Sequence, residues 1–385
     1  MQDNLFLHPD RLSISEFAAQ CEQPLTLSDY PLAAEAQKKV LIYRGQTLLD
    51  GAQTDKAAVF GELHRALSSG PGVLVIKNAY PDPAVIVRHN RVFEAIFQAE
   101  AANGGGGDHF AAAGSNGRIW NSLQKAAEQD ADAFIDYYAN PTLALVSEAW
   151  LGPWYQMTAQ VNVVRPGGKA QQPHRDYHLG FQENRDVQRF PLPLQQLSQY
   201  LTLQGAVAHS PMPLESGPTQ LLPFSQRYAG GYLAWRQPAF IDYFQRHAIQ
   251  LPLEQGDALF FNPALFHAAG DNLTANHVRI ANLLQISSAF GKPMETVNRL
   301  RLLQAIYPAL RRRHQQGTLD EAGLAALVAA AADGYSFPTN LDSDPPIGGL
   351  APQTQQQLLR QALQEDWDAP QFTQRLARQQ QLRSA

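Results

Sequence analysis

His174 and Asp176 stand two residues apart in the segment from Gln171 to Gly180, QQPHRDYHLG. On a strand or an extended turn, that spacing sends both side chains to the same side. There an imidazole nitrogen and a carboxylate oxygen can meet one metal ion. A third donor must come from farther along, and His267 in GDALFFNPALFHAAGDN is placed for it, at what reads as a strand end. Two histidines and one carboxylate suit Fe(II) and leave three octahedral positions open, whereas thiolates would favour zinc or sulfur clusters. An open face is what O2 and a bidentate 2-oxo acid need if they are to share one metal. Arg279, about one strand beyond His267, can point inward and grip the distal carboxylate of 2-oxoglutarate with its planar fork. His178 is expected beside the ligands or facing substrate, because a fourth protein ligand would close a position the chemistry needs. The plainer reading of His174 and Asp176 is a hydrogen-bonded surface pair.

These residues need strands to hold them. Met157 to Val164 alternates, with Thr158, Gln160 and Asn162 on one face and Ala159, Val161 and Val163 on the other. Further strand candidates are LSQYLTLQGAVA, GPTQLLP, HAIQLPL, GDALFFN and HVRIANLLQIS. Short strands broken by Gly and Pro fit a sandwich or barrel. Ahead of them, Lys56 to Leu67 has helical periodicity, Val73 to Ile76 is a short β run, and a helix opens at Pro81-Asp82-Pro83. Two more helices are expected over Ala126 to Tyr138 and Pro141 to Leu151. Between them, the glycine run from Asn103 to Asp108 cannot hold a regular element. It reads either as a connector or as a lid whose Phe110, Arg118 and Trp120 approach substrate. Trp154 and Tyr155 are expected in the core, and His209 and His277 in structural roles. Arg118 is open between substrate anchor and ion pair. Arg165 and Lys169 are rival carboxylate binders in a turn.

The whole chain has 385 residues, 44% hydrophobic and 17% charged, with a formal net charge of −5. That balance excludes disorder and argues against a nucleic-acid binder. The single Cys21 offers neither disulfide nor thiolate cluster and reads as a buried apolar residue. No signal-peptide pattern and no long apolar run is present, so a cytoplasmic protein without a membrane span is expected. The division expected is an N-terminal cap over 1–55, a core over 56–291, and a helical extension over 292–385.

Three segments, in order, resemble the phytanoyl-CoA dioxygenase family of Fe(II)/2-oxoglutarate oxygenases. They are His174-Arg175-Asp176, the stretch ESGPTQLLPFSQR from Glu215 to Arg227, and Gly256-Asp257, Phe260-Phe261, His267, Asn272 and Arg279. The resemblance covers about Leu151 to Ser288. It implies an α+β fold, with a double-stranded β-helix (jelly-roll, cupin-like) core flanked by N-terminal helices and the C-terminal extension. It implies Fe(II), 2-oxoglutarate and O2 as cofactors and co-substrates, and places Gln160, Asn162 and Thr219 beside 2-oxoglutarate and a small-molecule substrate. Where the family has a Gly-Ser-His turn, this chain has Phe224-Ser225-Gln226, a change expected at the pocket edge. Related halogenases replace the carboxylate with a small residue, so Asp176 argues for hydroxylation, with succinate and CO2 formed from the 2-oxo acid. The alternative is a metal-binding β-barrel without oxygenase activity, an isomerase or a sensor of a 2-oxo acid.

Overall fold

The structure, a computed structural model, describes residues 5–102 and 116–384. The glycine run Asn103 to Asp108 and Phe110, read above as connector or lid, lie outside the described residues. Among the described residues, ten strands build two facing sheets: β1 (Glu35–Gln37), β2 (Val40–Arg44), β3 (Val73–Lys77), β4 (Asn116–Ile119), β5 (Gln156–Val164), β6 (Thr202–Ala208), β7 (Gln220–Leu221), β8 (Ala258–Phe261), β9 (His267–Ala268) and β10 (Arg279–Ser287). The large sheet runs β1-β2-β3-β8-β6-β10-β5-β4 and is antiparallel except for β2 against β3. Strands β7 and β9 pair across from it. Single bridges extend that small sheet, His174 to His267 on one side and Leu221 to Ile249 on the other. This is the jelly-roll arrangement, and the metal-ligand candidates sit on its small sheet.

Alternation along each strand divides two cores. Leu74, Phe260, Val161, Val163, Leu284 and Ile286 face the helices and join the main core. Val73, Val75, Leu259, Phe261 and Ala281 turn toward the small sheet. The polar set Thr158, Gln160 and Asn162 is on that inner side of β5, as the sequence pattern required. Helices α1 (Ile14–Cys21), α2 (Gly45–Ser68), α3 (Pro83–Ala102), α4 (Ser122–Gln129), α5 (Ala131–Tyr138) and α6 (Pro141–Leu151) precede β5. The short α7 (Asn184–Val187) and α8 (Leu192–Ser198) lead into β6, with α9 (Gly231–Ala234) and α10 (Pro238–His247) between β7 and β8. Last come α11 (Arg299–Gln315), α12 (Glu321–Ala331), α13 (Gln355–Gln364) and α14 (Ala369–Arg383). No described helix is long and apolar enough to cross a membrane.

Several local expectations are corrected. Ala126 to Tyr138 is two helices, because Asp130 takes an extended backbone and its carboxylate caps the second by accepting from Ala133 N. HAIQLPL forms only isolated bridges, at Ile249 and Leu253. Within residues 1–55, β2 enters the large sheet beside β3. Trp154, expected in the core, is 46% exposed and stacks on Tyr335, whereas Tyr155 is buried.

Candidate metal centre and its cavity

His174 follows the turn after β5 and is held by reciprocal backbone hydrogen bonds with His267 on β9. Asp176, two residues on, is anchored through its own N–H to the Pro263 carbonyl. One nitrogen of each imidazole and one carboxylate oxygen fall within 4.8 Å of one another. Asp176 Oδ1 is 3.5 Å from His174 Nε2, and its Oδ2 is 3.3 Å from His267 Nε2. Both Nδ1 atoms point away, 2.8 Å from the Gln172 carbonyl and 2.9 Å from the Leu265 carbonyl. Only a protonated Nδ1 makes those contacts favourable, so the Nε2 lone pairs converge on the point where a metal would sit. Burial lowers the proton affinity of His174 against the pull of Asp176. Burial alone would raise the Asp176 carboxyl, but His174, His267 and Gln204 outweigh it and hold it below the usual carboxylate range. The donor set is thus two imidazole nitrogens and one carboxylate oxygen, which fits Fe(II).

Arg175, the middle residue of the motif, fixes the segment from behind. Its guanidinium is buried between the rings of Tyr232 and Phe266 and donates to the carbonyls of Ser225 and Tyr228. Gly231 has to lack a side chain, because a Cβ there would lie 1.8 Å from that guanidinium carbon. The adjoining Ser225 hydroxyl accepts from Phe266 N, and Gln226 donates to the carbonyls of Ser68 and Gly70. Gln226 is absent from the cavity wall, so the departure at 224–226 braces the helix α2 end rather than the pocket edge. Phe224 carries φ of +69°, a left-handed backbone that glycine adopts without strain.

A cavity of about 820 Å³ opens over the three donors. Its wall includes Arg279, Gln160, Asn162 and Thr219, and also Arg118, Trp120, Lys169, Gln204 and Gln285. Arg279 is 5% exposed and has no acidic partner among the described residues; Nη1 makes one contact, 3.3 Å to the Ser216 carbonyl. Burial pulls its guanidinium down to about 10. A buried cation of this kind is ready for an anionic ligand. Val164 is directly opposite Arg279 in the sheet, which makes Asn162 its diagonal neighbour, and Thr219 lies three residues from the Ser216 contact. Gln160 is four residues away along β5 and accepts from Arg118 at 3.0 Å. Arg118 also lies over the Trp120 ring. His178 is outside the cavity wall and Arg165 is exposed. His209 bonds Asn90 and Tyr137, and His277 bonds the Pro211 carbonyl, both structural contacts. Gln204 and Gln285 escaped the sequence reading. Their signal is a glutamine inside a largely apolar strand, in LTLQGAVA and in NLLQIS.

A two-sheet jelly roll with a histidine–aspartate–histidine donor set over a deep cavity defines a mononuclear metal enzyme of the cupin-like class. The phytanoyl-CoA dioxygenase family profile matches residues 69–281, and the chain belongs to that family. It is an Fe(II)- and 2-oxoglutarate-dependent enzyme by that membership and donor set. Among solved structures it is similar to the epimerase SnoN in complex with Fe3+, alpha ketoglutarate and nogalamycin RO, at 15% identity and a TM-score of 0.42, covering 60% of this chain and 84% of that one. It is also similar to the non-heme alpha ketoglutarate dependent carbocyclase SnoK (18%, 0.41, 57% and 80%). A third is AviO1 from Streptomyces viridochromogenes (16%, 0.43, 62% and 97%). No curated protein matches the chain.

Proposed function

We propose that the protein is a dioxygenase that hydroxylates a small organic substrate, with 2-oxoglutarate converted to succinate and CO2. One observation carries this reading: three donors suited to Fe(II) converge beside a buried arginine that has no acidic partner among the described residues. His174, Asp176 and His267 would hold the metal through Nε2, a carboxylate oxygen and Nε2. Bound together, iron, 2-oxoglutarate and O2 supply an oxidant able to insert oxygen into a C–H bond. Arg279 takes the distal carboxylate of the 2-oxo acid, with Asn162 and Thr219 flanking it. Gln160 serves the same cavity from its far half. Asp176 keeps a carboxylate in the position that halogenation would need vacant, which favours hydroxylation. The apolar part of the wall, Leu253, Phe261 and Leu283, excludes water from the reacting carbon.

The test is succinate formation by protein loaded with Fe(II) in the absence of air, then given O2, 2-oxoglutarate and a pool of candidate metabolites. Succinate should appear with iron present and vanish in His174→Ala. Iron and 2-oxoglutarate bound without succinate from any pool would favour an isomerase or a 2-oxo acid sensor instead.

A further inference from the structure

Three glutamines stand on adjacent strands of the cavity floor: Gln204 on β6, Gln285 on β10 and Gln160 on β5. Their relative exposures are 6%, 8% and 1%, so each is more than nine-tenths buried. The hydrogen bonds along the row run in one direction, and chemistry fixes that direction at its end. A guanidinium can only donate, and Arg118 donates to Gln160 Oε1 at 3.0 Å. The other half of that amide, Nε2, is therefore the donor that reaches Gln285 Oε1 at 3.4 Å. Gln285 in turn is left with its Nε2 as the free end of the row. Among the described residues no hydrogen bond to that nitrogen forms, and it is not sealed from the cavity. Gln204, directly opposite Gln285 in the sheet, commits its nitrogen elsewhere and leaves its Oε1 without a partner. A carboxylate only accepts, so Gln204 turns its Nε2 to Asp176. The row thus runs from a cation to one unspent N–H donor, beside the residue that braces a metal ligand.

We infer that Gln285 Nε2 is the donor that fixes the substrate, and that the substrate presents an uncharged carbonyl oxygen there, close to the carbon that reacts. The inference rests on the oxygenase reading and assigns the substrate class within it. A row of donors headed by a guanidinium polarises its last N–H toward an acceptor. A carboxylate would be drawn to Arg279 at the other end of the cavity. A carbonyl satisfies the donor without bringing a second charge into a buried wall.

Acetophenone and ethylbenzene have nearly the same shape and differ by the carbonyl oxygen, so they are the probes. Each is titrated calorimetrically into the full chain carrying Fe(II) and 2-oxoglutarate, with oxygen excluded. Acetophenone should bind about tenfold or more tightly than ethylbenzene, the worth of one well-placed hydrogen bond. Gln285→Met, of similar length but without the donor, should erase that ratio while leaving 2-oxoglutarate affinity within about twofold. Gln160→Leu, which releases the orientation of Gln285, should reduce the ratio without touching the probe. If Gln285→Met melts early, Gln285→Leu provides the same reading. Equal binding of the two probes to the wild type overturns the inference. So does a ratio that survives in both Gln285 variants, or no acetophenone binding by protein that binds 2-oxoglutarate. Failure of the wild type to bind 2-oxoglutarate at all would instead sink the oxygenase reading.

Discussion

Arg279 and Arg175 are both buried arginines without acidic partners among the described residues, yet the chain uses them differently. Arg175 spends its guanidinium on two aromatic faces and two carbonyls, so its charge is absorbed by the fold. Arg279 has one long contact and faces an empty volume, which makes it expensive to the fold alone. The two therefore separate in a stability assay. Arg279→Met should weaken 2-oxoglutarate binding by about 10- to 100-fold, the range for losing a charge-assisted pair. The same variant should melt no lower than the wild type without ligand, since it removes a desolvated cation. Calorimetry with 2-oxoglutarate, paired with thermal melting, checks both halves. A large fall in melting temperature would mean that Arg279 is a structural residue. At this scale the sequence was informative where chemistry demanded rare residue types at fixed spacing, as at His174 and Asp176. It was silent on Gln204 and Gln285, because a glutamine on an apolar strand becomes meaningful only when its neighbours across the sheet are known. Arg175 was equally hidden, since nothing local marks the Tyr232 and Phe266 rings that enclose it.

Elements were legible where alternation was strict and long. Strands β5 and β10 pair over nine residues, and the polar and apolar faces of β5 were assigned from sequence alone. HAIQLPL alternates as well, but its pairing reduces to bridges at Ile249 and Leu253, because register there is set by partners far away in the chain. The break between α4 and α5 was missed for a different reason. The apolar spacing of Ala126 to Tyr138 continues across Asp130, and periodicity does not register that an aspartate can leave the helix and cap the next one. Asp130 also meets Arg88 of α3 at 3.5 Å, a surface-screened pair. Asp130→Ala should therefore destabilise the protein by about 1 kcal/mol, mostly through the lost cap, while Asp130→Asn should retain most of that stability. Urea unfolding of the two variants decides it. Equal losses in both would shift the weight from the cap to the charge pair.

At the scale of the whole molecule, we propose that residues 1–55 and 292–385 extend a 56–291 core in sequence but complete it in space. Tyr30, Leu41 and Tyr43 from one end, and Leu302, Leu327, Leu359 and Phe372 from the other, belong to a single buried cluster. Arg299 ties the extension in place, donating to the Ala330 and Ala331 carbonyls at the α12 end and to the Met157 carbonyl of β5. A chain ending at residue 291 should consequently be insoluble or lack a cooperative melt, which expression and differential scanning calorimetry would show. Behind the large sheet, the same core hides two histidines. Burial lowers His89 to about 3 despite the opposing charge of Asp130, and pushes His209 well below its ordinary value, with His89 adding to the effect. His89 stacks on Tyr137 with ring centroids 4.1 Å apart, and His209 takes a hydrogen bond from the Tyr137 hydroxyl. Both are therefore held neutral in the folded state, whereas the unfolded chain binds their protons from about pH 6.5 downward. Their contribution to stability is complete above that value and is lost as pH falls from 6.5 toward 3. For His89 alone the loss by pH 4 is about 3 kcal/mol. Metal-free protein should show this slope, so release of a metal from His174 and His267 does not enter it. His89→Phe, which keeps an aromatic ring against Tyr137, should flatten the stability profile between pH 6.5 and 4. Urea unfolding across that range compares the two proteins directly, and parallel profiles would mean that His89 already carries its proton in the fold.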